Sequence, residues 1–199
     1  MDFNGRAFYI VRIDNLPSIL ERGILSYNEC GRAGIQHTSF ADNDVQARHD
    51  RKLIPNTGRY LHDYAPTYLN PRNATLYCRK QQAYFKDLCI LVIDGNQLLT
   101  LDGTVLSDRN AAADFAAYLA PSEITKLNFN RIYASSWNHG DILEKERHKT
   151  EMQAEILVPD RISPHLILGV LVQSEDEIMQ IKAMGIGLEA VVNKGKFFL

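Results

Sequence analysis

Glu155 stands at the entrance of an apolar run, Ile156-Leu157-Val158, with Gln153 two positions before it. The run reads as a buried strand, and a carboxylate drawn into one is penalised unless something pairs it or uses it. The uses open to it are proton transfer and electrostatic stabilisation of a developing cation, and both gain from a carboxylate held in a dry, rigid place. The structural alternative is a salt bridge to the charged run 144–149. A second concentration of reactive side chains lies in residues 48–86. There Arg48, Arg51, Lys52, Arg59, Arg72, Arg79, Lys80 and Lys86 face only Asp50 and Asp63, a local charge of +6 that leaves −8 for the rest of a chain whose net charge is −2. Tyr60, Tyr64, Tyr68, Tyr77 and Tyr84 fall in the same segment. Cations interleaved with aromatics can attract phosphate and stack a base or a nicotinamide ring; a solvated surface loop carrying scattered tyrosines is the plainer reading.

Other chemistry is less well supported. The chain has no phosphate loop, no dinucleotide glycine fingerprint, no nucleophile elbow and no HExxH. His62-Asp63 and His148 could form an acid–base pair for a hydrolytic nuclease, but isolated histidines more often serve structure. Cys30, Cys78 and Cys89 are odd in number and lack paired spacing, which fits a reduced cytoplasmic protein and neither a disulfide framework nor a metal site. The longest apolar run, 166–172, is far short of the ~20 residues that span a bilayer, and the N-terminus shows no secretory pattern, so no membrane partner is expected.

The elements that must position these residues are those of one α+β domain over residues 1–199. Residues 8–13 and 87–94 read as buried strands, as do 155–158 and 166–172. Residues 14–23 form a short helix with Asp14 or Asn15 as cap and Gly23 as its end. Residues 174–185 form another, with Ser174 and Glu177 as a capping box and Gly185 as the stop. Helical character is also expected at 41–52, at the Ala-rich 107–120 and at 122–132, and the charged 141–153 reads as a helix or a loop. Residues 27–40 read as irregular and 54–73 as an extended loop. The final residues, 188–194 and 195–199, read as two strands joined by a tight turn, and the whole as two packed small sheets with helices around them.

Four pieces in order carry a more specific signal: YIVRIDNLPSILERGIL (9–25), LHDYAPTYLNPRNATLY (61–77), SDRNAAADF (107–115) and KTEMQAEILV (149–158). Together they resemble the DarT family of bacterial toxins, DNA ADP-ribosyltransferases, from about residue 8 to the C-terminus. The resemblance implies the ADP-ribosyltransferase fold, a split β-sandwich with NAD⁺ in its cleft and helices at its periphery. It implies that NAD⁺ is consumed as a substrate without a metal, that ADP-ribose passes to a base in single-stranded DNA, and that a cognate antitoxin removes the modification.

Residue by residue, the family's catalytic glutamate falls on Glu155, and its essential arginine on Arg48, or on Arg51 if the gap is placed differently. Tyr9, Arg12, Asn15, Tyr68, Asn70 and Tyr77 take NAD⁺-binding positions, with Tyr68 as the residue to stack on nicotinamide. Arg72, Thr75, Arg109, Asn110 and Gln153 take DNA-binding positions. Three departures bear on the acceptor. Tyr9 stands where many members have histidine, Asn110 replaces the histidine of T-D-x-H, and Thr75 replaces a common methionine; they make guanine a plausible acceptor beside thymine. The alternatives are transfer to RNA or protein, or a catalytically decayed nucleic-acid-binding module.

Overall fold

The computed structural model describes residues 1–35 and 52–199. Arg48, Arg51 and the helix expected at 41–52 therefore lie outside the described residues, apart from Lys52. Ten strands lie among those described: β1 (Arg6–Arg12), β2 (Ile24–Leu25), β3 (Tyr64–Tyr68), β4 (Leu88–Asp94), β5 (Val105–Ser107), β6 (Tyr118–Leu119), β7 (Glu155–Pro159), β8 (Arg161–Ile162), β9 (Ile167–Val172) and β10 (Ala190–Val192). The helices are α1 (Leu16–Arg22), α2 (Tyr27–Arg32), α3 (Ala74–Arg79), α4 (Gly95–Leu98), α5 (Phe129–Ile132), α6 (Ile142–Glu151) and α7 (Glu175–Ala183).

Eight strands make one sheet in the order β10-β9-β4-β1-β3-β7-β5-β6, and β2 pairs with β8 apart from it. The two small sheets expected from the pattern are thus halves of a single sheet. β1 and β4 are matched over seven residue pairs, whereas β1 meets β3 at Phe8–Tyr68 alone. The sheet is split there into β10-β9-β4-β1 and β3-β7-β5-β6. A fold of this kind is what the resemblance implies.

Apolar runs made the inner strands. Leu88, Cys89, Ile90, Leu91 and Ile93 of β4 are fully buried because packing covers both faces of the sheet. The larger core takes Ala7, Val11, Leu91, Leu106, Ile156 and Val158 on one face. Smaller clusters take Phe8, Ile10 and Ile90, and Tyr64 with Leu157, on the other. Leu91→Ala should cost about 3 kcal/mol, since it leaves a cavity in that core. The same change at exposed Leu168 should cost under about 0.5 kcal/mol; urea melts of the two variants check the contrast.

α7 forms as predicted, with Ser174 N–H donating to Glu177 Oε2 at 2.7 Å and Gly185 left-handed beyond its end. α6 is capped by Asp141, whose carboxylate accepts from Glu144 N–H at 2.7 Å. The predicted 122–132 helix appears in two pieces, a 3₁₀ turn at Pro121–Lys126 and α5.

Four local expectations fail. Residues 27–32 form α2, because Ser26 caps them by accepting from Glu29 N–H. Residues 107–120 are not helical. Asp108 N–H donates to Ala117 O (3.1 Å), Asp108 Oδ1 accepts from Ala117 N–H (2.9 Å), and the chain between is closed into a loop joining β5 to β6. The helix propensity of alanine is a small preference that sheet pairing overrides. Residues 64–68, expected in a loop, form β3, paired with β7 over five residues. Leu69 N–H donates to Ala154 O on the β7 side, so by alternation position 66 faces the split, where Pro66 removes no ladder bond. Finally, residues 194–197 form a 3₁₀ turn capped by Asn193 where a last strand was expected, and it drives Phe197 into full burial.

Candidate active site

The cross-strand register places Phe8, Tyr68, Glu155, Ser107 and Tyr118 in one row across β1, β3, β7, β5 and β6. Residues opposite one another project to the same face, so Glu155 shares a face with Tyr68 beside the split. Glu155 is 6% exposed. Its Oε1 accepts from Ala111 N–H at 3.0 Å, and no ion pair to it occurs among the described residues. The salt bridge to the 144–149 run goes instead to its neighbour: Glu151 pairs with Arg131 and with Arg147, and Arg131 also holds Glu144 at 2.6 Å. Burial pushes the Glu155 carboxyl up to about 8, against the smaller opposing pull of the Ala111 N–H. The same burial, then the charge of Glu155, raises the Tyr68 hydroxyl, and Tyr118 rises to about 12 for these reasons with Asp108 added.

A polar chain runs beside this carboxylate. Thr75 Oγ1 donates to Gln153 Oε1 at 2.9 Å and lies 3.2 Å from the Tyr68 hydroxyl. Thr75 has a single hydroxyl proton, so Tyr68 is the donor in that second contact. Gln153 Oε1 also accepts from Asn110 Nδ2 at 3.4 Å, and its Nε2 donates to Lys149 O at 3.2 Å. Asn110 Oδ1 accepts from Ala112 N–H at 3.0 Å, which fixes the amide. The arrangement is a buried carboxylate with no ion pair among the described residues, flanked by fixed amides and hydroxyls beside an aromatic face. It can stabilise positive charge or take up a proton.

A family model described as "ssDNA thymidine ADP-ribosyltransferase, DarT" matches residues 8–198. The chain belongs to the DarT family. A DNA ADP-ribosyl transferase–DNA ADP-ribosyl glycohydrolase fusion protein of Thermosipho africanus is 31% identical over 176 residues, covering 88% of this chain and 44% of the relative. The solved Thermosipho africanus DarTG in complex with ADP-ribose superposes with a TM-score of 0.84 at 29% identity, over 98% of this chain and 51% of that one. This chain thus spans about half the length of those relatives. The Thermus sp. 2.9 DarT in complex with ADP-ribosylated single-stranded DNA superposes with a TM-score of 0.80 at 26% identity, over 97% of this chain and 96% of that one.

Of the residues that resemblance to the DarT family singles out, Glu155, Tyr68, Thr75, Gln153 and Asn110 come together. Arg109 stands next to them, its guanidinium held by both oxygens of Asp108 at 3.0 and 2.7 Å. The others are placed elsewhere. Tyr9 packs against the larger core while its neighbour Phe8 joins the smaller cluster on the opposite face, and burial followed by Cys30 raises its hydroxyl to about 12. Arg12 at the end of β1 pairs with Asp14 (3.1 Å) and Asp87 (3.6 Å), and Asn15 precedes α1. Asn70 is buried, with its amide on Ile132 O at 2.8 Å and its carbonyl on Arg72 N–H at 3.1 Å. Arg72 donates to Ser135 O and Gly195 O and lies 4.0 Å over the Phe198 ring. Tyr77 packs edge-on against Trp137 and Phe198. Arg48 and Arg51 lie outside the described residues.

His62 is buried and stacked on Tyr27 at 4.2 Å, while Asp63 accepts from Asn28 and from Tyr60 N–H. His148 lies 2.7 Å from His139 and 3.0 Å from Arg131 O. The two histidines serve different contacts and form no pair with each other. Sequence reasoning passed over the Ala111 backbone N–H, because a main-chain donor carries no residue signature. A cavity of about 790 Å³ lies between α1, α2 and the Arg59–Asp160 pair. Its lining carboxylates include partly exposed ones such as Asp63, held by neighbouring cations and amides. Among the described residues no helix is long and apolar enough to cross a membrane.

Proposed function

We propose that this chain cleaves the bond between ribose and nicotinamide in NAD⁺ and transfers the ADP-ribose to a base in single-stranded DNA, with Glu155 as the catalytic carboxylate. The observation that carries this reading is the buried Glu155 without a cationic partner among the described residues, in register with Tyr68 beside the split. Nicotinamide leaves with the bonding electron pair, and the ribose carbon acquires oxocarbenium character, as in glycoside cleavage. A carboxylate aimed at that carbon from a rigid strand stabilises the cation without reorganising. A ring nitrogen or amino group of the base then bonds to the carbon, and Glu155 accepts the proton it sheds. Tyr68 offers its ring to nicotinamide. Arg48 or Arg51 is the candidate to hold the phosphates or to help the base lose its proton, and Tyr9, Arg12, Asn15, Asn70 and Tyr77 remain candidate contacts along NAD⁺.

The acceptor base meets Asn110, Thr75 and Gln153, with Arg109 and Arg72 as candidate contacts to the strand. Asn110 offers an amide N–H to a base carbonyl, which thymine and guanine both possess; the family is described for thymidine, and the departures at Asn110 and Thr75 make guanine a plausible acceptor beside it. A base must leave its stack to reach the row, which suits single strands. The relative in which transferase and glycohydrolase are fused supports a partner that removes the modification. Three free cysteines support a reducing, cytoplasmic setting.

Labelled NAD⁺ with four oligonucleotides, each lacking one base, should label every strand except the one without the acceptor, and mass spectrometry of the nucleosides names that base. Cleavage of NAD⁺ with no label on DNA would overturn the reading. Matched oligonucleotides differing only in the 2′-hydroxyl separate transfer to DNA from transfer to RNA.

A further inference from the structure

The loop between β5 and β6 has a part in the site that the Glu155 chemistry does not use. Its first half is pinned from several directions. Asn110 N–H donates to Thr150 O, Ala111 N–H to Glu155, the Tyr118 hydroxyl to Ala111 O and the Lys52 ammonium to Ala113 O. The Asp108–Ala117 contacts close its base. Yet its outer half presents Phe115 with 87% of its surface exposed. A lone exposed apolar residue is ordinary. What distinguishes this one is its surroundings. Between Asn110 and Tyr118 the loop consists of alanines, Asp114 and this one phenylalanine. The alanines are too short to cover a ring, so the loop holds an aromatic face in water on a backbone that other bonds keep in place.

Phe115 lies four residues from Ala111, which touches Glu155. A chain of that length reaches at most ~14 Å, within a few nucleotides of a base seated at the carboxylate. Bases stack on exposed aromatics with little regard to identity, because every base has a π face. Resting on the transfer to single-stranded DNA proposed above, we infer that Phe115 is a positioning residue that stacks a nucleotide flanking the acceptor and so holds the strand in register with Glu155. It touches neither NAD⁺ nor the reacting base, and it acts by holding the neighbour.

The test is initial-rate kinetics on an oligonucleotide with a single acceptor base, at saturating NAD⁺. Phe115→Ala should raise the KM for the oligonucleotide on the order of 10-fold, with kcat and the KM for NAD⁺ unchanged. Phe115→Trp should restore binding and Phe115→Leu should not, which separates stacking from mere apolar contact. In the wild type, an abasic residue beside the acceptor should raise KM by a similar factor at one flanking position, and Phe115→Ala should be indifferent to it. An unchanged KM in Phe115→Ala, or full rescue by Leu, overturns this inference while transfer by the wild type stands. Failure of the wild type to label any DNA overturns the parent reading and takes this one with it. Phe115 carries no packing that the fold depends on, and thermal melts that match wild type confirm intact variants.

Discussion

Glu155→Gln is expected to lower ADP-ribose transfer by roughly 10³-fold, the scale set by removing a single charge-stabilising or proton-accepting group, and at the same time to stabilise the protein. Glutamine keeps the shape and the carbonyl oxygen that accepts from Ala111 N–H, so binding and fold should survive while the negative charge is lost. The stability gain follows from burial. In the unfolded chain the carboxyl titrates at its ordinary value of 4.5, and in the folded protein burial raises it to about 8. Between these values the folded state holds a proton that the unfolded state has released, so stability falls as pH rises through the window. Above about pH 8 the whole penalty is present, on the order of a few kcal/mol. Below the unfolded value it is absent. Glutamine carries no such penalty. Denaturant melts should therefore show the variant more stable than wild type near pH 9, with the difference shrinking toward pH 5. A variant as active as wild type would remove Glu155 from the chemistry, and a stability difference independent of pH would contradict its raised pKa.

The pH profile of the reaction should carry the same group. If the ionised carboxylate stabilises the ribosyl cation, kcat/KM for NAD⁺ should climb about tenfold per pH unit and level off near pH 8, because that parameter reports the free enzyme. In the complex, the positively charged nicotinamide ring of NAD⁺ beside Glu155 favours the ionised form, so the rise in kcat should lie at lower pH. Profiles of both parameters for wild type, with the residual activity of Glu155→Gln as the blank, decide the matter. A kcat/KM that falls across this range would mean that the protonated carboxyl is the acting form.

The loop at 107–120 shows most clearly how far the residues could be read. Its alanines favour helix locally, but Asp108 closes the chain on Ala117, and Ser107 is drawn into the sheet opposite Glu155. Glu155 is far away in sequence, and a closure between Asp108 and Ala117 follows no helical or strand period, so no local pattern announces either contact. The strand at 64–68 was hidden for a related reason. Its proline argues against a central strand, and only the split beside it makes the missing N–H harmless.

What the amino-acid sequence by itself determined is what depends on neighbouring residues: the apolar strands β4, β7 and β9, the capped helix α7, and a carboxylate placed where an apolar strand begins. Burial of those runs is forced by their composition and needs no knowledge of partners. The tertiary structure alone decided that Glu155 is unpaired among the described residues, that Ala111 supplies its hydrogen bond from 44 positions away, and that Tyr68, Thr75, Gln153 and Asn110 form one chain beside it. Those are contacts between distant segments, and they exist only once β3, β7 and β5 pair with one another in the sheet.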